Sequence, residues 1–262
     1  MTRQQIEQSA AAIWQARTTG HPIAALPGGA MPQSRAEGYA VQQALARLSG
    51  QQPFGWKIAA TSSAGQKHIG VGGPLGGRLF INRVLPMSRP ISLTGNNMKV
   101  GEAEFAFRMA IDLPPRGTPY GVDEVLVSVG ALYPAIELPD SRFIDFAKVG
   151  AASLIADNAC AHEFILGDEV KNDWRGLDLA QHRVSVNCNG APNCEGVGSN
   201  VLGDPRIALA WIANELNTYG LMLRAGETIT TGTCVVPFAL EPGKRYSADF
   251  GVLGSVNIVC EA

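Results

Sequence analysis

An α+β, β-rich fold with a helical N-terminal part is predicted by three observations. The 30 glycines and 16 prolines make up about 18% of the chain against an ordinary share of about 12%, an excess that suits turn-rich β structure. The first fifty residues carry helical spacing of apolar positions, and from Phe54 onward short strand-like runs take over. With 262 residues, 46% hydrophobic and 17% charged, the chain can bury a sizeable core as one large domain or one domain with a helical appendage. That balance excludes disordered, collagen-like and coiled-coil chains.

The elements follow in order. Ser34 with Glu37 three positions on reads as a capping box, and Val41, Leu45 and Leu48 then fall on one helix face. A loop rich in Pro and Gly, His21 to Gln33, separates this helix from an earlier one. Asp204-Pro205 opens a late helix, since Asp is a good N-cap and Pro suits the first turn. Ile207, Trp211 and Leu216 give it a rough apolar stripe, and Gly220 ends it. Glu227–Thr233, Arg245–Phe250 and Ser255–Cys260 are strand-like and separated by glycine-bearing turns. The expected division is a helical subdomain over residues 1–50 and a β-rich domain over 51–262.

Several function classes drop out. The net charge is −2 and no run of Lys or Arg occurs, so a nucleic-acid footprint is not expected. Met1 to Trp14 is polar and amphipathic, unlike a signal peptide, and no stretch approaches the roughly 18 apolar residues of a membrane span. The five cysteines lack a CxxC pair. Cys188 and Cys194 flank a turn and can in principle bridge, but free thiols and a cytoplasmic protein are expected. Gly70 to Gly77 (GVGGPLGG) is glycine-rich, yet no P-loop lysine follows and Pro74 breaks the dinucleotide pattern, which leaves a turn or lid segment.

The chemistry concentrates in Met98 to Leu113, MKVGEAEFAFRMAIDL. As a strand, it places Val100, Glu102, Glu104, Ala106 and Arg108 on one face. Ala103, Phe105, Phe107, Met109 and Ile111 fall on the other, a core face. Glu102 and Glu104 then point the same way, roughly 6.6 Å apart along the backbone. Like charges so placed need solvent or a cation between them. A solvent-facing polar edge is one reading. A second strand-like segment, Tyr133 to Glu137, followed by Asp140 and Arg142, supports another: three carboxylates on rigid strands can form an oxygen-ligand site for Mg²⁺ or Mn²⁺. Lys57, in the apolar run Trp56-Lys57-Ile58-Ala59, either snorkels to water or, desolvated beside a metal, moves protons. Thr61, Ser62 and Ser63 can cap a following helix. His162 and His182 can ligate metal, but lone histidines are more often structural and are read so, and Trp56 and Trp211 are read as packing residues.

The blocks GWKIAATS near 55, GEAEFAF near 101, PAIELPDSR near 134, ADNAC near 156, GSNVLGDPRIALAWIANEL near 198 and TTGTCVVPFALEPG near 230 occur in one order. In that order they resemble the 2-keto-4-pentenoate hydratase family of the fumarylacetoacetate hydrolase superfamily. The resemblance implies a fumarylacetoacetate-hydrolase-like mixed β roll preceded by helices, and a homo-oligomer. It maps the family's divalent-metal ligands onto Glu102, Glu104 and Glu137, and its active-site lysine onto Lys57. Asp157 falls in the Ala-Asp-Asn block as a second candidate for proton transfer, with a helix-terminal structural role as the alternative. Thr231, Gly232 and Thr233 resemble a substrate-contacting turn, for which a glycine-permitted bend is the alternative. One departure stands out: Leu75 occupies the place after Pro74 where typical members carry an aspartate, which suits a less polar substrate tail.

The implied reaction is metal-dependent addition of water to a short 2-hydroxy-2,4-dienoate (2-oxo-4-enoate), giving a 4-hydroxy-2-oxo acid. Decarboxylation of a 2-oxo-3-enedioate and C–C hydrolysis of an acylpyruvate are the alternatives within the superfamily. A catalytically silent small-acid binding protein is the alternative outside it.

Overall fold

A computed structural model describes residues 1–262. Two helices open the chain, α1 (Arg3–Thr19) and α2 (Arg35–Ser49), followed by β1 (Pro53–Ala59), α3 (Ser63–His68), β2 (Leu75–Phe80) and β3 (Val84–Leu85). The central part comprises β4 (Val100–Met109), α4 (Val122–Val127), β5 (Val129–Leu138), α5 (Gly150–Ala156) and β6 (Glu163–Leu166). Then come β7 (Arg183–Cys188), β8 (Ala191–Val197), α6 (Pro205–Thr218), β9 (Thr228–Thr233), β10 (Phe238–Ala239), β11 (Arg245–Asp249) and β12 (Ser255–Val259). No helix is long and apolar enough to cross a membrane.

Eight strands form one mixed sheet in the order β2-β1-β9-β4-β5-β6-β3, with β10 beside β4. The β1–β9 and β3–β6 pairs are parallel and the rest antiparallel. A second, antiparallel sheet has the order β12-β11-β7-β8. The large sheet curls on itself. Leu79 from β2 packs in one cluster with Ala106 of β4, Tyr133 and Ala135 of β5 and Phe164 of β6, strands that a flat sheet would hold far apart. This small cluster plugs the concave interior. The main core lies on the convex side, where Phe105, Phe107 and Met109 of β4 meet Trp174, Phe250 and Val256.

Helical capping follows local chemistry. Thr2 and Gln5 make a reciprocal capping box on α1. On α2 Ser34 accepts the Glu37 N–H, but the Glu37 carboxylate turns to the Gln33 N–H and the chain's amino terminus, so the expected box is half formed. Val41 and Leu45 are buried against Ala10, Ile13 and Phe143, whereas Leu48, expected on that face, is half exposed at the helix end. On α6 Asp204 caps the Arg206 N–H, as expected. The buried stripe, however, is Ala208, Leu209, Ile212, Ala213 and Leu216, with Ile207 exposed. The three C-terminal strand expectations match β9, β11 and β12 within a residue or so. All five cysteines are free.

Candidate active site

Glu102 stands directly opposite Glu137 in the β4–β5 ladder, and Glu104 opposite Ala135. Cross-strand partners share a face, so all three carboxylates project into the concave interior. One oxygen from each lies within 4.8 Å of the others. Glu104 and Glu137 are fully buried and Glu102 is half buried, which removes the polar-edge reading of this strand. The opposite face behaves as expected through Met109. Ile111 is exposed, because the strand stops before it.

The neighbour on the other side of β4 fixes Glu104. Glu104 faces Thr233 and Ala106 faces Thr230, so β9 carries one extra residue here, a bulge across Thr231 and Gly232. Gly232 adopts φ +99°, and a Cβ there would meet the Thr61 Oγ1 at 2.2 Å, so only glycine fits. The bulge aims two donors at Glu104 Oε2: the Gly232 N–H at 2.8 Å and the Thr230 hydroxyl. Thr230 was not singled out in the sequence. The signal that finds it is the strand register, which sets it beside Lys57 and opposite Ala106. The flanking threonines are otherwise committed: Thr231 donates to the Phe105 carbonyl and Thr233 to the Val235 carbonyl. The expected substrate-contacting turn is thus built as a clamp on a carboxylate.

Lys57 is 2% exposed, so it does not snorkel. Its Nζ lies 3.0 Å from Glu137 Oε2 and donates to the Ala159 carbonyl at 3.0 Å. Burial works against the charged lysine, but Glu137, Glu102 and Glu104 outweigh it and raise the pKa, so the ammonium is the resident form. Burial pushes the Glu137 carboxyl up to about 7, with Lys57 opposing and Glu102 adding to the rise. Burial, together with Glu137 and Glu102, lifts Glu104 well above its ordinary value, and burial lifts Glu102.

Three carboxylates facing one ammonium leave an excess of negative charge in a buried space. Glu104 Oε1 and both Glu137 oxygens have no hydrogen-bond donor, the Lys57 contact being an ion pair without good hydrogen-bond direction. Unsatisfied buried carboxylate oxygens are costly, and a hard divalent cation with oxygen preference is the species that satisfies them. The donor set therefore fits such an ion.

Asp157 is not part of this cluster. It is fully buried on the far side of a turn, accepting from the Arg142 N–H at 2.9 Å, Arg142 Nε at 2.5 Å and the Ser141 hydroxyl at 3.3 Å. So engaged, its carboxylate is committed mainly to Arg142 and Ser141, an arrangement that suits the structural alternative for this residue. The turn itself is unusual: Asn158, Ala159 and Cys160 all have positive φ, at 54°, 49° and 63°. Such left-handed non-glycine residues persist only where surroundings over-determine them. Here Gly77 packs so closely that a Cβ would lie 1.9 Å from the Asn158 carbonyl oxygen. The result presents the Ala159 carbonyl to Lys57.

Leu75 pairs with Ala59 as Gly77 pairs with Lys57, so Leu75 lies on the same sheet face as Lys57. It is fully buried, in a strand where a lid or turn was the expectation for this segment. Ser62 caps α3, His182 bonds the Phe250 carbonyl, and Trp56 lies beneath the Arg78 guanidinium.

No protein-family model matches the chain. Known proteins do. It is 32% identical over 265 residues to the 2-keto-4-pentenoate hydratase of Paraburkholderia xenovorans (strain LB400), covering 100% of this chain and 97% of that protein. It is 29% identical to the 2-hydroxyhexa-2,4-dienoate hydratase of Comamonas testosteroni, over 98% of this chain and 97% of that one. Among solved structures, 4-oxalocrotonate decarboxylase from Pseudomonas putida G7, complexed with magnesium and adipate, superposes with a TM-score of 0.87 at 26% identity, covering 99% of this chain and 98% of that one. The fold, the buried carboxylates and the full-length similarity agree: the chain belongs to the 2-keto-4-pentenoate hydratase family of the fumarylacetoacetate hydrolase superfamily.

Proposed function

We propose that this protein is a metal-dependent hydro-lyase that adds water to a short 2-hydroxy-2,4-dienoate, with Mg²⁺ or Mn²⁺ held by Glu102, Glu104 and Glu137. The observation that carries the reading is the buried carboxylate triad with the Lys57 ammonium 3.0 Å from one of its members. The hydratase names of the relatives support the reaction class. Bound there, the cation supplies Lewis-acid stabilisation of negative charge on a substrate oxygen.

The chain's own groups do the rest. An ammonium has three N–H donors, and Lys57 spends one on the Ala159 carbonyl while its charge faces Glu137. A proton not given to Ala159 is available to the substrate's carbon chain. Its transfer to the terminal carbon of the dienol, with the 2-hydroxyl proton passing back to Lys57 as that oxygen becomes the ketone, gives a conjugated 2-oxo-3-enoate. Water then adds at C4 and a proton at C3, giving the 4-hydroxy-2-oxo acid. Thr230 and Gly232 hold Glu104 still throughout, so no reorganisation is needed as charge moves. Asp157 acts at one remove, by holding the turn that orients Lys57.

Decarboxylation of a 2-oxo-3-enedioate is the second reading, favoured by the 0.87 superposition on a 4-oxalocrotonate decarboxylase. The second carboxylate of such a substrate would need a cationic partner near Leu75. Arg78 points to the other sheet face and pairs with Glu227 at 2.6 Å, and Lys67 is exposed. A hydratase is the better fit. The test is ultraviolet monitoring of dienoate loss with and without EDTA, alongside CO₂ release from a 2-oxo-3-enedioate. Hydration that EDTA abolishes and Mg²⁺ restores supports the proposal. Binding without turnover, or CO₂ release faster than hydration, overturns it.

A further inference from the structure

The Lys57 ammonium is steered from outside its own strand, by the Ala159 carbonyl, so whatever fixes the turn at Asn158–Cys160 also fixes the lysine. Two elements border that turn. One is β2, the edge strand, whose Gly77 is the ladder partner of Lys57 and packs directly on the Asn158 carbonyl. The other is α5, which ends at Ala156 and runs straight into the turn.

Gln42, on α2, joins the two. It is 2% exposed, and its Nε2 donates to the Gly76 carbonyl at 3.0 Å and to the Ile155 carbonyl at 2.8 Å. Both partners only accept, so one orientation of the amide fits, and both of its N–H groups are spent. Ile155 lies in the last turn of α5, where carbonyls lack a partner further along the helix. On the other side of Gly77, the Arg78 N–H donates to Asn158 Oδ1 at 3.4 Å. The strand is thus tied to α2 just before the partner of Lys57, and to the turn just after it. One helical turn before Gln42, Gly38 lets α2 come close to α5: a Cβ there would lie 2.5 Å from the Ala152 carbonyl oxygen.

We infer that Gln42 is a positioning residue for proton transfer at Lys57: it clamps β2 to α5 around the turn, and so holds the Ala159 carbonyl where it orients the ammonium. Two donors on one nitrogen are what the place requires. A methionine of similar length has none and leaves two buried carbonyls without their donor. A glutamate sets a carboxylate against both. The helical N-terminal part thereby contributes to the chemistry without touching substrate. Its effect on turnover rests on the hydratase reading above, whereas the clamp on the turn does not.

The experiment compares the Mg²⁺-loaded full chain with Gln42→Met and with Ile13→Val, a core change between α1 and α2 that leaves the clamp alone. In Gln42→Met, kcat for a 2-hydroxydienoate should fall about 10-fold or more, with KM and Mg²⁺ affinity little changed. Backbone amide exchange over residues 157–161 should quicken, and that of β4 and β5 should not. Ile13→Val should lower Tm and leave kcat and the exchange of the turn as they are. Gln42→Asn keeps both donors but is one methylene short of spanning the two carbonyls. It should give a milder loss of the same kind, and it decides the matter where the methionine variant does not fold. Wild type that binds Mg²⁺ but turns over no dienoate sinks the hydratase reading alone, and the exchange measurement then still decides the clamp. Unchanged exchange in the turn, unchanged kcat in an active enzyme, Mg²⁺ affinity falling in step with kcat, or an equal loss of kcat per degree of Tm in Ile13→Val would each overturn the assignment.

Discussion

Lys57 and Glu137 touch at 3.0 Å although their strands, β1 and β5, are separated in the sheet by β9 and β4. Three strand spacings on a flat sheet come to about 14 Å. A lysine and a glutamate reaching toward each other close that gap only when the sheet curls. The ion pair is therefore a product of the curl, and it desolvates both partners. Lys57→Met keeps the length and removes the cation. Turnover of a 2-hydroxydienoate should fall by about 10²–10⁴, the range for a lost general acid–base. The metal-free protein should lose stability as well, since one partner of a buried pair is left alone, at a cost of about 3–5 kcal/mol. Metal affinity should hold or tighten, because a neighbouring positive charge has gone. Near-normal turnover at saturating substrate would remove Lys57 from the chemistry.

The raised Glu137 pKa makes metal binding depend on pH with a defined sign. Its carboxyl sits at about 7 in the folded chain against an ordinary 4.5, mainly through burial. Between those values the folded chain holds a proton that the unfolded chain has released. Stability of the metal-free protein from this group therefore falls as pH rises through that window, and is level above it. A cation must displace the same proton. Its affinity should rise by at least about tenfold per pH unit up to roughly 7, and the raised Glu104 and Glu102 carboxyls steepen that rise and carry it further. Calorimetric titration of Mg²⁺ between pH 5.5 and 8 decides it, and an affinity indifferent to pH would show that Glu137 is already ionised.

Glu104 offers the sharpest test of the carboxylate set. In Glu104→Gln, the Thr230 hydroxyl and Gly232 N–H can still bond the amide oxygen, so the fold should survive. A neutral amide is a poorer ligand for a hard cation, and Mg²⁺ or Mn²⁺ affinity should drop by at least an order of magnitude. Unchanged affinity in a folded variant would take Glu104 out of the ligand set.

How much of this was legible in the sequence depends on the range of the interaction. Period-two alternation put Glu102 and Glu104 on one face and Ala103, Phe105 and Phe107 on the other, because alternation is a local property of a strand. Caps at Ser62 and Asp204 were readable for the same reason. Convergence of Glu137 and Lys57 on the pair needed the register of four strands, which no spacing encodes; only resemblance supplied it. Thr230 went unseen because its role depends on a one-residue bulge in a neighbouring strand. For Asp157 the sequence leaves proton transfer and a helix-terminal structural role side by side, and its pairing with Arg142 depends on the shape of the turn that follows. Three successive left-handed residues reverse the chain there, and nothing in Ala-Asp-Asn-Ala-Cys announces them.

Asp157 therefore carries a prediction distinct from that for Lys57. Asp157→Asn removes the charge opposite Arg142 while leaving a hydrogen-bonding side chain at the start of the turn. If Asp157 orients Lys57 through the Ala159 carbonyl, kcat should fall about 10-fold or more, with KM and Mg²⁺ affinity little changed, since neither the carboxylate triad nor its clamp is touched. A second variant, Arg142→Lys, should give a milder loss of the same kind, because a lysine keeps the charge and loses the fork. A fall in metal affinity equal to the fall in kcat would mean that the pair merely holds the fold together.

Leu75 bears on the far end of the substrate and rests on the hydratase reading. By strand alternation it falls on the Lys57 face of β2, two residues before Gly77, and its side chain is fully buried at the margin of the main core cluster. An apolar wall gains about 0.8 kcal/mol per buried methylene, or roughly fourfold in kcat/KM for each carbon added until the space is full. A carboxylate tail would have to bury its charge there without a partner, since Arg78 is turned away to Glu227. Across dienoates with hydrogen, methyl, ethyl and carboxylate tails, kcat/KM should thus rise along the alkyl series and be lowest for the acid. Leu75→Ala should shift the optimum toward the longer alkyl tail, at a stability cost of about 2–5 kcal/mol for the cavity it opens. A wild-type preference for the carboxylate tail would place Leu75 outside the pocket and put the decarboxylase reading ahead.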